Sequence, residues 1–118
     1  MTVYVVQQPR PVVRHGRSTT YDLSPALQFG PLEIVFAQDD QPSMTPGPSL
    51  ALARHKLKHI RPEDYLLWAG GDPAALSMVS LVAGQNLLGR IRLLRWERER
   101  LNGRRTGGGF YLPVEFRV

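Results

Sequence analysis

Tyr65-Leu66-Leu67-Trp68, then Gly70-Gly71-Asp72-Pro73, then Ala74 to Gln85, then Arg90-Ile91-Arg92-Leu93-Leu94-Arg95-Trp96 succeed one another along the chain. The first piece is a short apolar run suited to a strand at the centre of a sheet, covered on both faces. The second joins a tight turn to a helix start, with Asp72 as N-cap and Pro73 in the first helical turn. The third is helical in composition, and Leu76, Met78, Val79, Leu81 and Val82 make it apolar nearly all round. Such a helix is buried on two sides or sits in a subunit contact. Gly84 or Gly89 ends it. The fourth is again a strand, so the whole stretch predicts a right-handed parallel β-α-β crossover.

Towards the C-terminus, the strand from Arg90 extends to about Arg100 and meets Asn102-Gly103, a hairpin turn pair. Gly107-Gly108-Gly109 predicts a longer, flexible loop over 102–109. The last strand runs from Phe110 to Val118, with Phe110, Leu112, Val114, Phe116 and Val118 on one face. Pro113 predicts an edge position. Towards the N-terminus, a helix is expected from Pro48 or Ser49, with Leu50, Ala53, Leu57 and Ile60 at helical spacing and Arg54, Lys56, Lys58 and Arg61 mostly elsewhere. Pro62 stops it. Residues 39–48 read as a turn region, and Leu32 to Phe36 as a strand. Gln8 to Ser24 reads as a loop or mobile arm carrying Arg10, Arg14, His15 and Arg17, and Thr2 to Gln7 as the first strand. The order β-β-α-β-α-β-β predicts one α/β domain of the mixed α+β kind. It is a small mixed sheet of about five strands with two helices, closed by an antiparallel C-terminal hairpin.

A chain of 118 residues fits one domain. With 42% hydrophobic and 21% charged residues it can build a core. The absence of cysteine excludes disulfides, thiolate metal sites and cysteine nucleophiles, and suits a reducing cytoplasm. The start Met1-Thr2-Val3-Tyr4 lacks a signal-peptide pattern. The apolar run Ala74–Ala83, broken by Ser77 and Ser80, is too short for a membrane span. A net charge of +5 points to anionic partners or to a merely soluble basic domain.

Several words of the sequence carry a resemblance. They are Val3-Tyr4-Val5-Val6-Gln7; Ser24-Pro25-Ala26 with Phe29-Gly30; Asp64-Tyr65-Leu66-Leu67 leading to Gly71-Asp72-Pro73; Gly89-Arg90-Ile91-Arg92-Leu93-Leu94-Arg95-Trp96; and Tyr111-Leu112-Pro113-Val114-Glu115. Together they resemble a family of small uncharacterised proteins of tailed bacteriophages. The stretches Arg10–Tyr21 and Asn102–Gly109 depart from that pattern and are longer here. The resemblance implies a phage product acting in an infected host's cytoplasm or packaged in a virion. It brings no activity, cofactor or site residues with it.

Catalytic constellations are lacking. Gly70-Gly71-Asp72 is a weak anion or nucleotide candidate at a helix N-terminus, because Asp72 itself occupies the free N–H groups there. His55 and His59 are four apart, but Lys56 and Lys58 repel a dication and no glutamate lies between them, so no metal is expected. Asp39-Asp40 and Glu63-Asp64 read as solvated turn residues. The main signal is a basic cluster: Arg90, Arg92, Arg95, Arg98, Arg100, Arg104 and Arg105 crowd one hairpin with Trp96. Three readings remain open: a solvated edge hairpin, a protein interface, or a nucleic-acid surface extended by the Arg10–Arg17 arm. The leading expectation is a non-enzymatic accessory protein, without cofactor. It would bind a host or phage protein through this hairpin, with nucleic acid as alternative and self-association through Ala74–Ala83 as a further contact. A nucleotide-binding or nucleotide-processing enzyme at Gly70–Asp72 is the remaining alternative.

Overall fold

The alternation of cores along β1 organises the molecule. In this computed structural model, which describes residues 1–19, 22–38, 40 and 46–118 (side chains of 46, 105 and 106 excepted), β1 spans Val3–Gln7 and is buried throughout. Tyr4 and Val6 face one hydrophobic cluster, whereas Val3 and Val5 face another. This is the period-2 alternation of a strand covered on both sides.

The remaining elements are β2 (Val12–Arg14), β3 (Arg17–Thr19), a 3₁₀ helix (Ser24–Phe29), β4 (Leu32–Phe36), α1 (Pro46–Lys56), β5 (Tyr65–Leu67), α2 (Pro73–Asn86), β6 (Arg90–Leu101) and β7 (Arg104–Arg117). The main sheet has the order β4-β1-β5-β6-β7. The pairs β4–β1, β1–β5 and β5–β6 are parallel, and β6–β7 is antiparallel. The five-stranded mixed sheet and two helices match the expected order. Pro113 does lie on an edge strand, and β5 is the middle strand of five.

The helices cover one face of the sheet. Ala53, Leu57 and Ile60 from α1 and the turn after it join Ala75, Val79, Val82 and Ala83 of α2 over Tyr4, Val6, Val35 and Leu66. The apolar composition of α2 thus reflects burial among the sheet and α1. Leu81, 59% exposed, is the large apolar side chain of α2 left in solvent among the described residues. The 3₁₀ helix covers the other face through Ala26, above Val3, Val5, Tyr65, Leu67, Leu94 and Tyr111.

Four local expectations are corrected. The segment from Gln8 to Ser24 holds the small antiparallel hairpin β2–β3, turning at His15-Gly16 with φ of 52° and 75°. Its three-residue strands are wholly exposed, so no burial period announces them. Helix α1 begins at Pro46 and ends at Lys56, leaving His59 in the turn beyond it, so His55 and His59 do not share a helical face. Asp39 and 41–45 of the expected turn region lie outside the described residues. The 102–109 loop is instead a two-residue turn, Asn102-Gly103, with φ of 53° and 77°. The glycine run belongs to β7. Finally, Asp64 is a buried brace and not a solvated turn residue. Its carboxylate accepts the Thr2 and Arg61 backbone N–H groups, both at 2.8 Å, tying the start of β1 to the entry of β5.

Candidate binding site at the root of the C-terminal hairpin

Strands β6 and β7 alternate their side chains across the sheet, which sorts the arginines into unlike environments. Near the base, Arg90 donates to Glu115 at 2.6 Å and Arg117 donates to the other oxygen of the same carboxylate at 3.2 Å. The Arg90 bond, before any other cause, holds the Glu115 carboxyl below its ordinary pKa. Arg92 lies over the Tyr65 ring, 4.3 Å from its centroid, and donates to the Tyr65 hydroxyl at 2.8 Å. Arg95, on the opposite face, pairs with Glu97. Three of the expected binding arginines are therefore committed within the fold.

Arg98, Arg100 and Arg104 differ. All three are exposed, and none forms an ion pair with a described residue. The side chain of Arg105 lies outside the described residues. The basic cluster is thus divided into a paired base and three outer arginines, Arg98, Arg100 and Arg104, that form no ion pair among the described residues.

Between these halves the ladder is irregular. Trp96 pairs with Tyr111 and Arg98 with Gly109, but Arg100 pairs with Arg105. Glu99 alone therefore stands opposite Thr106, Gly107 and Gly108, a bulge that the glycine run makes sterically accessible. Gly109 is required for a separate reason. A Cβ there would overlap the Trp96 indole and the Glu97 carbonyl oxygen, so the indole lies directly against the Gly109 backbone. Trp96 packs edge-on against Tyr111, with centroids 4.8 Å apart, and remains 41% exposed.

Beside this pair lies a cavity of about 650 Å³. Its hairpin side is formed by Trp96, Arg98, Gly107, Gly108, Gly109 and Tyr111. The opposite side comes from Trp68, Ala69 and Gly70, where the chain leaves β5, and from Asp22 and Pro25 at the entry of the 3₁₀ helix. A smaller hollow of about 200 Å³ shares Trp96, Arg98, Gly107 and Gly108. The Asp22 carboxylate accepts the Ser24 backbone N–H at 2.9 Å, and its hydrogen bonds to Ser24 lower its pKa. The cavity lining therefore carries both a carboxylate acceptor and a guanidinium.

The sequence readings missed Trp68 and Asp22. Trp68 reads as the last residue of an apolar strand, but the ladder stops at Leu67 and the indole is 38% exposed. An aromatic residue followed two positions later by Gly-Gly at a strand exit was the available signal. Of the Gly70–Asp72 candidate, Gly70 reaches the cavity rim. Gly71 and Asp72 serve the turn. The Asp72 side chain caps the Ala74 N–H at 2.9 Å, and the Asp72 N–H donates to the Gln7 amide oxygen at 2.8 Å. His55 and His59 are exposed, and the described residues contain no group of three or more His, Asp or Glu able to hold a metal ion. No helix among the described residues is long and apolar enough to cross a membrane.

Comparison with known proteins places the chain. The model of the Phage Pam3 gp32-like protein family matches residues 1–106. The chain belongs to this family. The match covers Asp22, Trp68, Trp96 and Arg98 and ends before the glycine run of β7. No curated protein and no solved structure matches the chain. Membership in this gp32-like phage family agrees with the resemblance carried by the sequence words, and it attaches no activity to the site.

Proposed function

We propose that this phage protein acts by binding, without catalysis, and that the outer half of the β6–β7 hairpin receives an acidic surface of a host or phage protein in the host cytoplasm. The observation that carries this reading is the division of the arginines: those at the base are paired, whereas Arg98, Arg100 and Arg104 are exposed and form no ion pair with a described residue. An exposed arginine in a high-dielectric surround contributes little to the fold. A cluster of them favours an acidic partner through steering and charge-assisted hydrogen bonds. Arginine and tryptophan are also residues that dominate protein interfaces.

The test is affinity capture from bacterial lysate, with and without nuclease, by the wild-type protein and by a variant combining Arg100→Ala and Arg104→Ala. The reading predicts a discrete protein that survives nuclease and is lost from the variant. Equal capture by the variant contradicts it. A catch that disappears with nuclease and salt transfers the hairpin to nucleic acid, for which the Trp96–Arg98 adjacency supplies a stacking and phosphate-pairing combination.

A further inference from the structure

We propose that the cavity between β5 and the root of the β6–β7 hairpin is a nucleotide site, taking a nucleobase between its aromatic walls and a phosphate at Arg98. The inference goes beyond the macromolecular reading. It stands on the cavity and on Arg98 in its lining, not on Arg100 and Arg104.

Four observations converge on that chemistry. First, Trp68 and Trp96 arrive from different strands and line the same cavity, with Tyr111 behind Trp96. Flat aromatic walls stack nucleobases without needing a particular base. Second, Gly107 and Gly108 form part of the lining and are exposed, presenting backbone without side chains to a planar ring. Third, Arg98 supplies a cation with no ion pair to a described residue, and Asp22 supplies a fixed ionised acceptor. A nucleotide offers phosphate oxygens to the first and amino or sugar hydroxyl donors to the second. Fourth, the cavity opens where the chain leaves the carboxyl end of parallel strand β5, so that Trp68 is carried past the last ladder pair and into the lining. Its volume of about 650 Å³ lies in the range of small-molecule sites. The N-terminus of α2 takes no part, because Asp72 already caps it.

The same chemistry can arrive as a free mononucleotide or as one unit of a single strand. Trp68 and Trp96 are the only two tryptophans of the chain, so tryptophan emission, excited at the red edge where tyrosine does not absorb, reads this cavity. The full-length protein is titrated with deoxyadenosine and deoxythymidine monophosphates, with short single-stranded oligonucleotides of each base, with the corresponding nucleosides and with inorganic phosphate. The inference predicts saturable quenching by the nucleotides and binding weaker by about tenfold or more for the nucleosides, which lack the Arg98 contact. Arg98→Ala weakens nucleotide binding by a similar factor, and Trp68→Ala by about tenfold through lost stacking. Both variants retain the wild-type far-ultraviolet circular dichroism. With the mononucleotides, the variant with Arg100→Ala and Arg104→Ala quenches as the wild type does, because neither residue lines the cavity, which separates this site from the partner surface. Tighter binding of oligonucleotides than of mononucleotides identifies a strand as the source, and equal binding identifies the free nucleotide. No saturable quenching at millimolar concentrations overturns the proposal. So does wild-type affinity in a folded Arg98→Ala variant, or equal loss of mononucleotide binding in the Arg100/Arg104 variant.

Discussion

Replacing Gly109 by alanine tests the geometry at the root of the hairpin. A methyl group at this position would stand 2.6 Å from Cε2 of the Trp96 indole and still closer to Cζ2. Neither the indole nor the Glu97 carbonyl, which is part of the β6 backbone, can yield without cost. If the indole moves, its edge-on contact with Tyr111 is forfeited, about 1 kcal/mol. Forcing an added carbon into a filled space costs a further ~1–3 kcal/mol. The sum, about 2–4 kcal/mol, lowers the melting temperature by roughly 10 °C in a domain of this size. Gly107→Ala is the matched control. It has nothing within 4 Å of its added carbon but has φ of +85°. It therefore pays only the left-handed backbone penalty of about 1 kcal/mol. Thermal melts followed by far-ultraviolet circular dichroism give the stabilities, and the near-ultraviolet spectrum reads the Trp96–Tyr111 packing. Gly109→Ala should lose stability and alter the near-ultraviolet band, whereas Gly107→Ala should change stability modestly and leave the band intact. Equal effects of the two, or a loss below about 0.5 kcal/mol for Gly109→Ala, refute the reasoning.

Asp64→Ala removes a buried acceptor from two backbone donors and should cost about 3 kcal/mol in urea denaturation, with Asp64→Asn near half of that because one oxygen acceptor remains. Gly71→Ala combines a φ of +111° with overlap onto the Gln7 amide oxygen and should cost at least about 2 kcal/mol. Because Gln7 also accepts the Asp72 N–H, a cycle with Gln7→Ala should be non-additive, and additivity would count against the contact. The Arg90 contact keeps the folded-state pKa of Glu115 below its unfolded value, so its contribution is complete above the unfolded pKa and is lost as pH falls through the folded one. Glu115→Gln should therefore flatten the acid limb of the melting temperature against pH at low salt, and an unchanged limb contradicts the ion triad of Arg90, Glu115 and Arg117.

The element order was legible because β1, β5 and α2 carry dense apolar runs whose burial decides their place, and because Asp72-Pro73 and Asn102-Gly103 have turn chemistry that acts locally. The β2–β3 hairpin was not legible, since Val12 and Val13 are exposed and its strands leave no alternation to detect. The glycine run misled in the opposite direction. Composition alone reads Gly107–Gly109 as a flexible loop, but the indole of Trp96 needs a strand residue without a side chain at the diagonal position, Gly109, and only tertiary contact reveals that demand. The basic cluster was visible as a cluster. Its division was not, because Glu115 lies far along the chain from Arg90 and meets it only through the β6–β7 register. Asp22 and Trp68 escaped for the same reason: the cavity joins segments that the sequence keeps apart.

The most direct test of the central claim places a photo-crosslinking amino acid at Leu101, exposed at the outer end of the hairpin, or at Leu81, exposed on α2, and irradiates each protein in nuclease-treated host lysate. The account predicts a discrete protein adduct from position 101 that weakens when Arg100 and Arg104 are alanine, and none from position 81. Adducts from position 81 alone, whether to a partner or to a second copy of the chain, would contradict it and move the binding surface to α2.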